Sequence, residues 1–515
     1  MNCFNKKTTA SVLFAVVLAF AVSAQDTTAV DSLDALDALS AASAGESTQG
    51  AEEAPKKRGG QAKVPAAKKP KQPTREEIED AANRENSKSD NYEQKVRDTF
   101  LYGLESEISD QIDTLKNADD KRFVNEIYNM FQDTESNSIR EKVLLYFTAI
   151  KDPCLEDYAV TVANDPYDVQ KNIVDAVFKY IAAVKCKAAS SALIALMESE
   201  SEEYVDGALS ALGECGGEEE AQFLADYLDK DDLSSGRRQE LMKALGKLKA
   251  TSTWSKLRDV LEDENENSFV RMYAAEALGA MEESASVEIL AEQYRTTGDA
   301  NLRVYLVKGL SHFKDSEAQK IILQAIRDSF YKVRLEAIEA VKSQEIKSAV
   351  PFLVYRAKND SEAVVKNACY PVIAFLNTSE GNEYLVSVIT DKKSGDTTKS
   401  RVAAALLKEG HAGAKEIVDL AVECCKTDAH KQLRYALGKE MAKYSKGDFA
   451  RACTVFLESK DVSTQGTGLD IWAKGRYGEC KSAVEKLADA TDSRKKPTAM
   501  AKKAMRVLGR EVPEE

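Results

Sequence analysis

A chain of 515 residues is too long for one ordinary compact core, so it must hold several domains or a repeated unit. A net charge of −14 argues against a nucleic-acid binder that works by overall basicity. Ten prolines and 30% charged residues are spread very unevenly, and the unevenness marks the segments taken in order below.

Lys6 and Lys7 precede an apolar run, Val12 to Val22, and Val22-Ser23-Ala24 offers small residues at a cleavage site. This is the pattern of a secretory signal peptide over 1–24, cut near Ala24 to leave Gln25 first. The run is shorter than the roughly 20 residues a spanning helix needs. The reading is an exported protein, periplasmic or extracytoplasmic, with no transmembrane segment in the mature chain. Eight cysteines would enter that oxidising space, where disulfides can form. There is no C-x-x-C and no His-Cys cluster with zinc spacing. Cys369 and Cys453 fall on core positions of the repeat described below, and Cys424-Cys425 is a vicinal pair that could be redox-active.

Residues 25–90 read as a disordered charged tether. Asp26 to Glu53 carries acids and no base, whereas Lys56 to Arg75 carries bases and no acid, interrupted by Pro65, Pro70 and Pro73. Too little apolar surface is present to offset the entropy of ordering. The Lys/Pro stretch could make weak contact with anionic envelope polymers or lipid head groups, or serve as a solvated spacer.

From about residue 91 the pattern turns helical and repeats. The clearest copy is Val270-Arg271-Met272-Tyr273-Ala274-Ala275-Glu276-Ala277-Leu278-Gly279. Slots equivalent to Gly279 fall at Thr148, Phe178, Gly213, Gly246, Gly279, Ser311, Lys342, Ala374, Leu407, Gly438, Ala473 and Gly509, about one every 30 to 36 residues. A looser copy starts at Val96-Arg97. Ten, eleven, fourteen and fifteen residues past a slot lie apolar positions, such as Ile321, Ile322, Ala325 and Ile326. That spacing is one stripe of a second helix. Each unit is then helix A, turn, helix B, turn. Asp328-Ser329 and Asp360-Ser361 are expected to cap B helices. The slot glycine is expected to end helix B in the left-handed conformation, and small residues should let neighbouring helices approach. Pro351 fits the start of an A helix. Pro371 lies inside a B helix and predicts a kink or a fresh helix start.

The Val-Arg…Ala-Leu-Gly pattern and its period resemble the HEAT-like repeats of the phycobilisome-lyase type, over roughly residues 91–511. The fold implied is all-α: an α-solenoid (superhelix) of about 12–13 HEAT-like helix pairs, an armadillo-type fold. Stacking buries a stripe that no single hairpin can cover. The resemblance implies that the B-helix arginine pairs with an aspartate in a neighbouring turn. Arg140, Arg238, Arg271, Arg303 and Arg334 fill that position. It also implies that B helices line the concave side. Lys243, Met272, Tyr273, Glu276, Tyr305, Lys308, Glu336 and Glu339 are then the candidate partner-binding groove, with Tyr273 and Tyr305 at equivalent places in adjacent units.

Some proteins of this repeat type are enzymes, and their motifs are missing from this sequence. An iron site of the deoxyhypusine-hydroxylase type needs repeated His-Glu pairs. Here His312, His411 and His430 are followed by Phe313, Ala412 and Lys431. No Gly-rich phosphate loop and no G-x-S-x-G elbow occurs. The reading is a non-catalytic scaffold or adaptor that binds protein partners and takes no cofactor or metal. Two alternatives stay open: an envelope-binding factor acting through its basic tether, and a lyase-like enzyme on a HEAT-like scaffold.

Overall fold

The computed structural model describes residues 92–230, 232–493 and 495–512. The expected signal peptide and tether lie outside them. Among the described residues there are 26 α-helices and no strand, and the one isolated bridge joins Thr491 to Pro497. In chain order they begin α1 Tyr92–Tyr102, α2 Glu105–Ala118, α3 Val124–Asp133, α4 Asn137–Ile150, α5 Glu156–Asn164, α6 Lys171–Val184, α7 Ser190–Glu198 and α8 Val205–Cys215. Then come α9 Glu218–Tyr227, α10 Ser235–Leu248, α11 Trp254–Glu262, α12 Ser268–Ala280, α13 Ser286–Thr296, α14 Ala300–Leu310, α15 Ser316–Ala325 and α16 Tyr331–Ser343. The series ends with α17 Val350–Asn359, α18 Ala363–Leu376, α19 Ser379–Thr390, α20 Asp396–Glu409, α21 Ala414–Glu423, α22 Lys431–Met441, α23 Phe449–Leu457, α24 Val462–Gly475, α25 Lys481–Ala488 and α26 Ala499–Leu508.

Odd-numbered helices are the expected A helices and even-numbered ones the B helices, in 13 pairs. Each even helix packs on its own odd partner and on the next even helix, and the even row is in closer contact than the odd row. One continuous apolar core runs from Val96 to Ala504. The stripe residues Ile321, Ile322, Ala325 and Ile326 are all buried in it. All described residues belong to one compact unit.

Of the slot glycines, Gly509 closes its helix in the left-handed conformation as expected, and the others act differently. Gly213, Gly246 and Gly279 lie inside α8, α10 and α12, not at their ends. A Cβ on Gly213 would stand 2.7 Å from the Ala244 Cβ, and one on Gly246 would stand 2.9 Å from the Ala277 Cα. One on Gly279 would stand 2.4 Å from the Gly309 Cα. These glycines are contact points between successive even helices. Left-handed closure falls instead to Asp119, Lys151, Lys185, Lys249, Asn377 and Arg476, with φ between 48° and 54°. Among the even helices only Gly410 and Gly509 are left-handed glycine caps, and Gly216 caps α8 in an extended conformation. The non-glycine residues are held there by the hydrogen bonds that end the helix: Lys151 N–H donates to the Thr148 carbonyl and Asp152 N–H to the Phe147 carbonyl.

Four copies fall out of register, two of them because α6 and α26 close at Lys185 and Gly509, three residues past Ala182 and Arg506, which are the slots of those units in place of Phe178 and Gly509. Val96 and Arg97 lie in α1, an odd helix, and the first member of the even row is α2, packed on α4. Arg434 is the fourth residue of α22, as Arg334 is of α16, so the slot of that unit is Ala442. Gly438 sits one turn earlier and meets Thr467 and Phe456. Pro351 stands in the first turn of α17. At Pro371 no new helix begins, because α18 runs through it from Ala363 to Leu376.

Candidate functional site

The arginine position builds a set of clamps between units. Arg334 grips Asp360 with two bonds of 2.8 and 2.6 Å, and its third nitrogen donates to the Asp328 and Ser329 carbonyls. Arg303 grips Asp328 at 2.8 and 3.1 Å, and the Tyr294 hydroxyl joins the same carboxylate at 3.2 Å. Burial alone would raise these carboxyls, yet the arginines and the N–H groups of Phe330 and Glu362 hold both below the ordinary carboxylate range. Asp328 and Asp360 therefore brace the turn two residues on and do not cap the B helix directly.

Elsewhere the implied Arg–Asp pairing changes chemistry. Arg238 pairs with Glu266, Arg271 with Gln293 and the Leu261 carbonyl, and Arg140 with the Thr134 carbonyl. Arg434, missed in the sequence because its unit was read one turn early, lies 3.6 Å from Asp461 and donates to the Cys424 carbonyl. The arginine set is thus structural, a seam between neighbouring hairpins.

The groove candidates fall on the even row, on four successive helices. Six residues before the slot stand Tyr273 in α12, Tyr305 in α14 and Glu336 in α16. Three before it stand Lys243, Glu276, Lys308 and Glu339, alternating in sign. The Tyr273 and Tyr305 rings meet edge to face, 5.5 Å apart. The Lys243 ammonium lies 4.3 Å from the Tyr273 ring centre, and Lys308 lies 5.8 Å from that of Tyr305. Lys308 also bridges to Glu276 at 2.8 Å, and Lys342 to Glu339 at 3.5 Å. Neighbouring even helices are tied again by Glu214–Lys247 and Lys249–Glu282.

Three candidates leave the exposed set. Met272 is buried at 3% exposure, because it points into the core beside Ala275 and not out over the row. Tyr273 is 6% exposed, covered by Lys243 and Tyr305. Tyr305 and Lys308 keep partial exposure, and Glu339 is open. Glu336 is unlike its neighbours: an acid 8% exposed at the place where adjacent units hold tyrosine. Burial, with Glu276 and Glu339 nearby, pushes its carboxyl up to about 7 although Lys308 draws it down. Its position was legible in the repeat, but its burial was not.

Among the described residues no group of three His, Cys, Asp or Glu side chains could hold a metal ion. His312 lines a cleft of about 800 Å³ with Glu282, Arg295 and Asp315, and burial lowers its basicity. His430 pairs with Asp396 at 2.9 Å. Residues 100–507 match the family described as spirochaete HEAT repeat protein. The chain belongs to that family. No curated protein matches it. Among solved structures, the complex of CpcE and CpcF of phycocyanin lyase from Nostoc sp. PCC7120 is 15% identical with a TM-score of 0.29, over 48% of this chain and 94% of that one. Importin beta is 11% identical with a TM-score of 0.41, over 84% and 70%. A Kap121p mutant is 10% identical with a TM-score of 0.41, over 81% of this chain and 56% of its own. This spirochaete-type HEAT repeat chain therefore spans little more than half the length of Kap121p. Among its described residues no helix is long and apolar enough to cross a membrane.

Proposed function

We propose that this HEAT repeat protein is an exported, non-catalytic scaffold that holds a protein partner along the face of its even-numbered helices. The observation that carries the reading is the surface from α10 to α16. It places the part-exposed Tyr305, backed by the buried Tyr273 ring, among side chains of alternating charge on one continuous row. Aromatic side chains ringed by charge supply the anchors and polar rim that protein recognition uses. The fold by itself does not decide the activity.

A photo-crosslinking residue in place of Tyr305, in the full chain in the cells that make it, tests the reading. A discrete protein adduct is expected, and it should be lost when Glu339→Lys is added. Equal capture of the same protein from Glu292 on α13, an odd-row position, counts against the face. The basic tether supports a second reading, in which Lys56 to Arg75 contacts the envelope. Deleting residues 55–75 separates the two: loss of envelope association with the Tyr305 adduct retained favours the tether. A chromophore or metal carried through purification would instead revive the lyase-like reading.

A further inference from the structure

The even-row face holds three carboxylates and two ammonium groups between α12 and α16. Glu276 is paired with Lys308 and Glu339 with Lys342. Glu336 is left over. It is only 8% exposed, yet it makes no hydrogen bond or ion pair among the described residues. Its oxygens are not wholly sealed from solvent. A carboxylate so placed has given up most of its water without gaining a donor. Nothing in the packing of α16 against α14 and α18 requires an acid there, since the same position in α12 and α14 is tyrosine and in α18 is Ala368.

The missing partner is a cation, and the surroundings favour one kind. Tyr305 occupies in α14 the place that Glu336 holds in α16, so a ring and a carboxylate stand on consecutive rungs of one row. A planar guanidinium can lie against an aromatic face while its edge donates two hydrogen bonds to a carboxylate, which a compact ammonium cannot do. Lys308 is bonded to Glu276 and reaches Glu336 through its charge alone, with no hydrogen bond, so the bidentate role is unfilled. We propose that this face takes an arginine side chain from an extended segment of the partner protein, seated on the Glu336 carboxylate beside Tyr305. The proposal rests on the even-row reading above and adds the partner's chemistry to it.

The test is selection of 12-residue peptides from an unbiased display library against the full chain, followed by titration of synthetic copies. The selected peptides should be rich in arginine and should lose binding to Tyr305→Ala. Replacing the key arginine by citrulline, which keeps shape and removes charge, should weaken binding about tenfold or more, and Glu336→Gln should do the same. The citrulline arm leaves the protein untouched, so it is independent of any effect on folding. Peptides that need Tyr305 but lack basic residues, or that bind Glu336→Gln as well as the parent, overturn the arginine proposal and leave the face intact. Peptides indifferent to Tyr305→Ala overturn the face itself, and the arginine proposal with it.

Discussion

Gly279 in α12 lies so close to Gly309 in α14 that a Cβ on it would stand 2.4 Å from the Gly309 Cα and 2.5 Å from its carbonyl oxygen. The obstacle is backbone, which cannot swing aside as a side chain can. Two successive units therefore meet at a point where neither has room for a methyl group.

Gly279→Ala should accordingly force α12 and α14 apart and cost about 1–3 kcal/mol, as overpacking does. Gly236→Ala is the control. It is also helical, but its new Cβ would find only the Ser234 hydroxyl at 3.9 Å, so helix propensity should raise stability slightly. Chemical denaturation of both variants checks this. Equal midpoints for Gly279→Ala and the parent would remove the close-contact account of the slot.

The period was legible because a small residue after Ala-Leu recurs at several of the points where two helices touch, as at Gly213, Gly246 and Gly279. The role of the glycine was not, since a Leu-Gly pair reads alike as a helix end and as a contact point inside a helix. Left-handed closure by Lys151 or Asn377 leaves no residue signature of its own. Among the groove candidates, counting back from the slot placed all eight on the even row but could not tell Met272, which is buried, from Tyr305, which is part-exposed. Those positions differ by about one residue's rotation around the helix, finer than a pattern with gaps of 30 to 36 residues can resolve.

Asp360 is the most deeply buried of the clamp carboxylates. It holds Arg334 through two bonds, lies 3.6 Å from Arg356 and accepts from the Glu362 N–H. Asp360→Asn leaves Arg334 buried without its counter-ion and should cost about 3–5 kcal/mol. The wild-type carboxyl is held below its ordinary 3.8, so its contribution is present above that value and is lost as pH falls through the lowered one. The deficit of Asp360→Asn should be full at about pH 6 and shrink below about pH 4. A deficit independent of pH down to the acid transition would mean that shape, not charge, makes the clamp.

Glu336 should behave in the opposite sense. Its carboxyl sits at about 7, above the ordinary 4.5, so the folded protein takes up a proton that the unfolded chain releases between those values. The cost of this acid therefore grows as pH rises from 4.5 and is complete above about 7. Glu336→Gln should match the parent near pH 4.5 and exceed it by about 1–3 kcal/mol at pH 8. Thermal melts across that range check it. A parallel pair of stability curves would show that the carboxylate is already satisfied.

The thiols give a last test, because export would place them where oxidants act. Cys154, Cys186, Cys215, Cys369, Cys424, Cys425, Cys453 and Cys480 are all free, and of these eight only Cys425 is not fully buried. Burial pushes Cys424 up to about 11 and Cys369 to about 12, and raises Cys425 as well. Since the thiolate is the reactive form, the native protein should resist modification at neutral pH. With a chromogenic aromatic disulfide, one slow equivalent is expected from the folded protein, absent in Cys425→Ser, and the remaining thiols should react together on unfolding. Several fast equivalents in the folded state, or a Cys424–Cys425 disulfide in a peptide map, would make the vicinal pair a working redox group.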